Sequence, residues 1–263
     1  NACLYALTTA NQVVCLDAVT GAYKWTAQVA APDDRTSDIF PPCHADAVAI
    51  GEAGGIAAVL DPPDPTELEP FDAVIFNTIS HLLVIDRESG RVKRRHALPF
   101  AANTGGSSDG RNVFLGAVSG RYHSVRLVDG LINWTMATGD MIQAAPKVAN
   151  GRLYVASRDS RLYCIAPYRL QDRHLWRQDT DGPLTANFHV DDRGCFVPGM
   201  DYRLYAFDPI VGEELWTFHA QGPLRQAVQV GAKSVYQFAW DDRFYAVDLA
   251  TGRERWTLPT NAT

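Results

Sequence analysis

Four arginines recur in this chain at a spacing that could do chemistry. Arg121, Arg161, Arg203 and Arg243 stand 40, 42 and 40 residues apart, and Asp159, Asp201 and Asp241 lie two positions ahead of the last three. A guanidinium presents a planar fork of N–H donors that matches carboxylate and phosphate oxygens, so several brought to one place would hold an anion. The competing use is local, each Asp pairing with its own Arg across a turn, which is worth under about 1 kcal/mol on a surface. Arg225 and Trp240 fall into the same stretch. An exposed tryptophan beside arginines suits a peptide or a sugar, and it equally suits the simpler task of covering an open channel.

Other constellations carry less. GGSSDG (105–110) contains a G-x-S-x-G centred on Ser108, but a nucleophile elbow needs a helix after the serine, and RNVFLG reads as a strand. The seven histidines (44, 81, 96, 123, 174, 189 and 219) form no HExxH and no short ligand spacing, so no metal site is expected. Cys3, Cys15, Cys43, Cys164 and Cys195 are scattered and include no CxxC, which argues against a zinc ribbon, a thioredoxin-type site and a haem attachment. The basic run Arg91, Lys93, Arg94, Arg95, His96 reads as charge that blunts an edge strand. Asn133-Trp134-Thr135 matches a glycosylation sequon by accident of the tryptophan beside it.

What must position the arginines is a repeat. CLDAVTGAYKW (15–25), AFDPIVGEELW (206–216) and AVDLATGRERW (246–256) are copies of one phrase. SVRLVDGLINW (124–134) keeps the Gly and Trp, VIDRESGRVKR (84–94) has Arg94 where the Trp should stand, and CIAPYRLQDRHLW (164–176) is longer and lacks the Gly. The phrases end at 25, 94, 134, 176, 216 and 256, a period near 40 with one step of 69. Ahead of each phrase lie short runs such as LYVAS (153–157) and RLYCI (161–165), with alternating polarity and tight turns. Four short strands per period and no helical periodicity describe a propeller blade. The Gly supplies a turn other residues resist, and each Trp offers roughly 200 Å² of flat surface to the next blade. Trp25, Trp134, Trp176, Trp216 and Trp256 are therefore expected to dock between blades, and Trp240 stands outside that register.

The phrase A-x-D-x-x-T-G-x-x-x-W resembles the tryptophan-docking motif of the PQQ-like β-propeller family, which includes quinoprotein dehydrogenases, BamB-type outer-membrane assembly scaffolds and sensor domains; a WD40 reading fits the period but not the dipeptide. The resemblance implies an all-β propeller of about six four-stranded blades, in one domain over 1–263. Blade 1 is expected to lack its inner strand, since CLYAL (3–7) aligns with second strands. The extra length in the 69-residue step is read as a loop insertion at 51–72, within blade 2. Pro146, Phe188 and Val228, each 12 residues after a docking Trp, mark inner strands. In such a fold the turns carrying the arginines share a face with the loops bearing Gln143, Thr185 and Arg225, so the binding candidates are Arg161, Arg203, Arg225, Arg243 and Trp240.

Composition narrows the partner. With 263 residues, 46% hydrophobic and a net charge of −6, the chain is a globular protein with no global positive field for nucleic acid, and no apolar run is long enough to span a bilayer. The dehydrogenases of the family resemble rings of about twice this length with an adjacent Cys–Cys pair and a calcium site; neither motif occurs here, so no PQQ, no other cofactor and no enzymatic activity are expected. A binding or assembly scaffold with a protein or peptide partner is the expected function. A fragment of a PQQ-dependent dehydrogenase and an extracellular sensor domain are the alternatives. The resemblance implies a periplasmic or secreted location.

Overall fold

The computed structural model describes residues 3–8, 12–29 and 73–260; the loop insertion expected at 51–72 lies outside them. Every regular element among the described residues is a strand. The first sheet is a meander of β1 (Cys3–Leu7), β2 (Gln12–Asp17) and β3 (Tyr23–Gln28), and the second of β4 (Ala73–Asn77), β5 (His81–Asp86) and β6 (Val92–Ala97). Four strands make the third: β7 (Ser107–Ser108), β8 (Asn112–Gly116), β9 (Arg121–Arg126) and β10 (Ile132–Ala137). The fourth holds β11 (Lys147–Ala149), β12 (Arg152–Ser157), β13 (Arg161–Ile165) and β14 (His174–Asp179). The fifth holds β15 (His189–Asp191), β16 (Gly194–Pro198), β17 (Arg203–Phe207) and β18 (Glu214–His219). The sixth holds β19 (Gln229–Val230), β20 (Ser234–Ala239), β21 (Arg243–Asp248) and β22 (Glu254–Pro259). Pro146, Phe188 and Val228 are buried immediately ahead of the inner strands β11, β15 and β19. The chain divides into two compact units, residues 1–136 and 137–263.

Burial within a sheet follows strand position. β8 and β16 are buried at every residue, whereas β10 alternates between half-buried and exposed. Middle strands covered on both faces must be apolar throughout; an outer strand with one wet face alternates.

The repeated Asp and Gly of each phrase build the turn into the outer strand. Asp248 Oδ1 accepts from the amides of Ala250 (3.1 Å) and Thr251 (3.0 Å) and from the Thr251 hydroxyl, while Gly252, at φ 68°, donates to the Asp248 carbonyl. The Arg255 guanidinium, together with the Thr251 contacts, holds the Asp248 carboxyl down at about 2. Where the phrase departs, local chemistry compensates. Arg126 replaces the Asp and pairs with Asp129, which takes over as acceptor for the Leu131 amide. In the copy without Gly, Asp172 adopts the left-handed conformation, at φ 46°.

The docking tryptophans pack first against their own sheet. Tyr5, Phe114, Tyr154, Phe196 and Tyr236 lie 5.7–6.0 Å, centroid to centroid, from Trp25, Trp134, Trp176, Trp216 and Trp256. In four of these sheets the strand between the two rings carries only Cys15, Cys164, Ala206 or Ala246 in the paired position. A small residue there lets the rings meet across the strand, which accounts for two of the cysteines.

Three of these rings, Trp25, Trp176 and Trp216, then cover the glycine of the following sheet. A Cβ built on Gly90 would lie 2.6 Å from Trp25 Cδ2, one on Gly212 2.6 Å from Trp176 Cδ2, and one on Gly252 2.7 Å from Trp216 Cδ2. Trp25 Nε1 donates to the Arg87 carbonyl and Trp216 Nε1 to that of Leu249, both at 2.9 Å. Trp176 keeps its seat on Gly212 without that bond: the Tyr154 hydroxyl donates to the Pro209 carbonyl at 2.8 Å, and the buried Trp176 Nε1 has no partner among the described residues.

The second sheet solves the missing Trp in a way the sequence register did not suggest. Arg94 pairs opposite Val84 as expected, but the docked ring is His96, two residues on and on the same strand face. A Cβ on Gly130 would lie 2.5 Å from His96 Cβ, and His96 Nε2 lies 3.1 Å from the Leu127 carbonyl. Since a carbonyl only accepts, Nε2 carries the proton. Trp256 differs from the other docking residues: it is 41% exposed, against 6% for Trp25 and 8% for Trp216.

Replacing Trp216 by Ala should cost about 3–5 kcal/mol in urea unfolding; a loss below about 1 kcal/mol would show that its seat on Gly252 does not hold the two sheets together. His96→Ala should expose the β4–β6 sheet to faster amide exchange, and unchanged exchange there would remove His96 from the docking role.

Candidate functional site

All five expected binding residues fall in the unit 137–263: Arg161, Arg203 and Arg243 open the third strands β13, β17 and β21, Trp240 lies on the turn ahead of β21, and Arg225 on a linker between sheets. Backbone hydrogen bonds sew these segments together. The linker residue Leu184 donates to the Ser157 carbonyl of the fourth sheet, while the adjacent Pro183 carbonyl accepts from Met200 of the fifth. One period later, Leu224 donates to the Gly199 carbonyl and the Pro223 carbonyl accepts from Trp240, all at 3.1 Å. Arg225 therefore sits on a linker tied to the turn that carries Arg203 and to the turn that carries Trp240 and Arg243.

Each turn is held by its Asp, though not through the side chain of its Arg. The Tyr163 hydroxyl donates to Asp159 Oδ2 at 2.6 Å, Tyr245 donates to Asp241 Oδ2 at 2.5 Å, and Tyr205 donates to Asp201. Gly139 and Gln221, on the linkers, donate backbone amides to Asp159 and Asp241. Burial, then the carboxylate each phenol faces, pushes Tyr163 and Tyr245 up to about 12 and raises Tyr205 as well. The residue ahead of each arginine (Ser160, Tyr202, Asp242) takes a left-handed φ of 57–69°, a conformation costing on the order of 1 kcal/mol or more that persists only where the surroundings impose it. The Asp–Tyr spacing is present in the sequence as D-x-R-x-Y at 159–163, 201–205 and 241–245.

With the Asp residues engaged by tyrosines, the arginines differ from one another. Arg161 Nε donates to Asp179 at 2.8 Å on the neighbouring outer strand, and Arg203 pairs with Asp181 on the linker. Arg243 has no carboxylate partner among the described residues, and its side chain is half-buried. The Arg225 guanidinium lies 3.8 Å above the centroid of the Trp240 ring, which is itself 54% exposed. A stacked guanidinium keeps its N–H edges open while the ring holds it in place. The region offers two open cationic forks and an aromatic face.

The other candidate motifs resolve into structure. Ser108 Oγ donates to the Asn112 carbonyl and accepts from the Gly110 amide, a turn contact within the β7–β8 hairpin. Lys93 pairs with Asp86 at 2.5 Å, and Asn133 donates to Asn112 Oδ1. Cys15, Cys164 and Cys195 are free thiols. No three His, Cys, Asp or Glu side chains converge among the described residues. No helix among these residues is long and apolar enough to cross a membrane.

A family model described as outer membrane protein assembly factor BamB matches residues 80–166 and 165–263. The chain belongs to that family. The crystal structure of BamB from Moraxella catarrhalis matches with a TM-score of 0.64 and 19% identity, over 98% of this chain and 73% of that one. At that identity the likeness speaks to the fold, a β-propeller built of the sheets described above. No curated protein matches the chain.

One buried group departs from the repeat. His123 stands in β9 where Tyr163, Tyr205 and Tyr245 stand in the later sheets. It stacks on Phe100 (3.7 Å between centroids) with Nδ1 2.8 Å from Thr135 Oγ1 and no partner on Nε2 among the described residues. Burial, with the Arg121 charge adding to it, lowers its pKa to about 4. The unfolded chain binds this proton more readily than the folded one, so its effect is absent above the ordinary value near 6.5 and grows as pH falls towards 4. Acidifying from pH 7 to 4 should cost on the order of 2–3 kcal/mol through His123, and His123→Leu, which copies Leu83 at the matching place in the second sheet, should remove that share. Parallel losses in both proteins, followed by urea unfolding across pH, would exclude it.

Proposed function

We propose that the chain is a non-enzymatic binding or assembly scaffold, working outside the cytoplasm, that holds an extended acidic protein segment on the turns and linkers around Arg203, Arg225, Trp240 and Arg243. Arg161, closed by Asp179 on the outer strand, contributes charge at the edge of that surface. The observation that carries the reading is the Arg225–Trp240 stack beside an Arg243 with no carboxylate partner among the described residues. These groups can take carboxylates through the forks and an aliphatic or aromatic side chain on the indole. The description of the family as an assembly factor supports a protein partner. A single small substrate would need convergent groups around one point; a row of sewn turns suits a strand-like segment.

The test uses a fluorescein-labelled peptide alternating Glu with Leu. It should bind with a salt-sensitive affinity, weaker at about 500 mM than at about 50 mM NaCl. Arg225→Ala with Arg243→Ala should weaken binding by about tenfold or more with little change in melting temperature, because neither side chain is part of the sheet core. Trp240→Ala should weaken it further. Wild-type affinity in the double variant, or binding indifferent to salt, would overturn the proposal.

A further inference from the structure

Departures from the repeat gather at one place in the sixth sheet. Gln237 pairs opposite Tyr245 in the register where Val155 meets Tyr163 and Val197 meets Tyr205. It is 1% exposed, on the strand face it shares with the buried Val235 and Ala239. Gln226 is exposed on the linker, where the earlier periods place the buried Ala144 and Ala186. Trp240, whose amide donates to the Pro223 carbonyl, takes the place of Arg158 and Met200, whose amides donate to Met141 and Pro183. Arg225 takes the place of Gln143 and Thr185.

These four departures are in contact with one another. Gln237 Nε2 donates to the Gln226 carbonyl at 3.0 Å and to the Phe238 carbonyl at 2.8 Å. Two carbonyl partners fix the orientation of the amide, because only its nitrogen can donate to them. Gln237 Oε1 is left buried with no partner among the described residues. A buried amide with an unmet acceptor costs stability that a valine in the same place would not. Arg225, the chain neighbour of Gln226, lies over the Trp240 ring at 3.8 Å.

The linker shows what the amide does. Backbone bonds hold its two ends: Leu224 donates to the Gly199 carbonyl at 3.1 Å and Val228 to the Asn187 carbonyl at 3.2 Å. Between those ends Gln237 grips the carbonyl of Gln226, one residue from Arg225. An exposed arginine gives up side-chain entropy to stay on a ring, so a linker fixed at its root favours the stack.

We propose that Gln237 is a positioning residue for the Arg225–Trp240 pair: its buried amide fixes the linker so that the guanidinium rests on the indole with N–H edges open to a carboxylate. This rests on the binding surface proposed above and names its internal support.

The test uses Gln237→Val, which copies Val197 and is close to glutamine in volume, and Gln237→Met, which keeps the length without the donor. Both should keep the wild-type far-UV spectrum and a melting temperature no lower than wild type. In the NMR spectrum the Arg225 Nε–H proton, identified as the one lost in Arg225→Ala, is shifted upfield by the indole beneath it; both variants should move it towards the position of an unstacked arginine. Affinity for the fluorescein-labelled Glu–Leu peptide should fall about two- to fivefold. Added to Arg225→Ala, either variant should change affinity no further. An unmoved resonance, or the same weakening in the Arg225→Ala background, would overturn the inference. A wild type that does not bind the peptide overturns the binding surface alone, and the resonance then decides whether Gln237 holds Arg225.

Discussion

The structure depends on one contact: a flat ring from the outer strand of one sheet laid on the glycine turn of the next. The glycine serves twice, taking the left-handed conformation and presenting a Cα with nothing on it, so the indole can approach to a distance a Cβ would forbid. The indole N–H then satisfies a carbonyl that the turn leaves pointing outward, which removes the cost of burying both groups. Trp25 and Trp216 do both. Trp176 does only the first because the Tyr154 hydroxyl reaches the carbonyl instead. His96 shows that the seat asks for a planar ring with an N–H donor, and not for tryptophan as such.

A second set of bonds, at the other end of the strands, holds neighbouring turns together. Linker amides and carbonyls tie each turn to its neighbour, and the Asp–Tyr pairs fix the turn from beneath. The carboxylates that could have neutralised the arginines locally are thereby occupied by phenols. Whether an arginine is open then depends on what stands on the outer strand and linker: Asp179 closes Arg161 and Asp181 closes Arg203, while the corresponding places near Arg243 hold Pro259 and Gln221. Variation at exposed positions thus sets the charge pattern of the surface without disturbing the repeat.

Much of this was legible in the residues themselves. The phrase recurring near every 40 residues announced the strand order, the inner-strand positions and the turn glycines, because strand alternation and left-handed turns are local demands that each copy must meet alone. The candidate arginines were found by the same periodicity. Less visible were the tyrosines that claim the aspartates, the small residues Cys15, Cys164, Ala206 and Ala246 beneath the rings, and the histidine that replaces a tryptophan two positions out of register. These concern which side chain reaches which across a strand or between sheets, and no local pattern demands them.

The sequence by itself therefore determined the all-β repeat, the meander within each sheet and the family, since these follow from hydrophobic alternation, turn chemistry and the spacing of a docking ring. Only the tertiary structure decided the partner of each polar group and the ring that fills each seat. An Asp two residues from an Arg is free to bond it in an isolated turn; once a buried phenol four residues on points at the same carboxylate, the tyrosine wins, because its hydroxyl has no water to fall back on while the exposed guanidinium does.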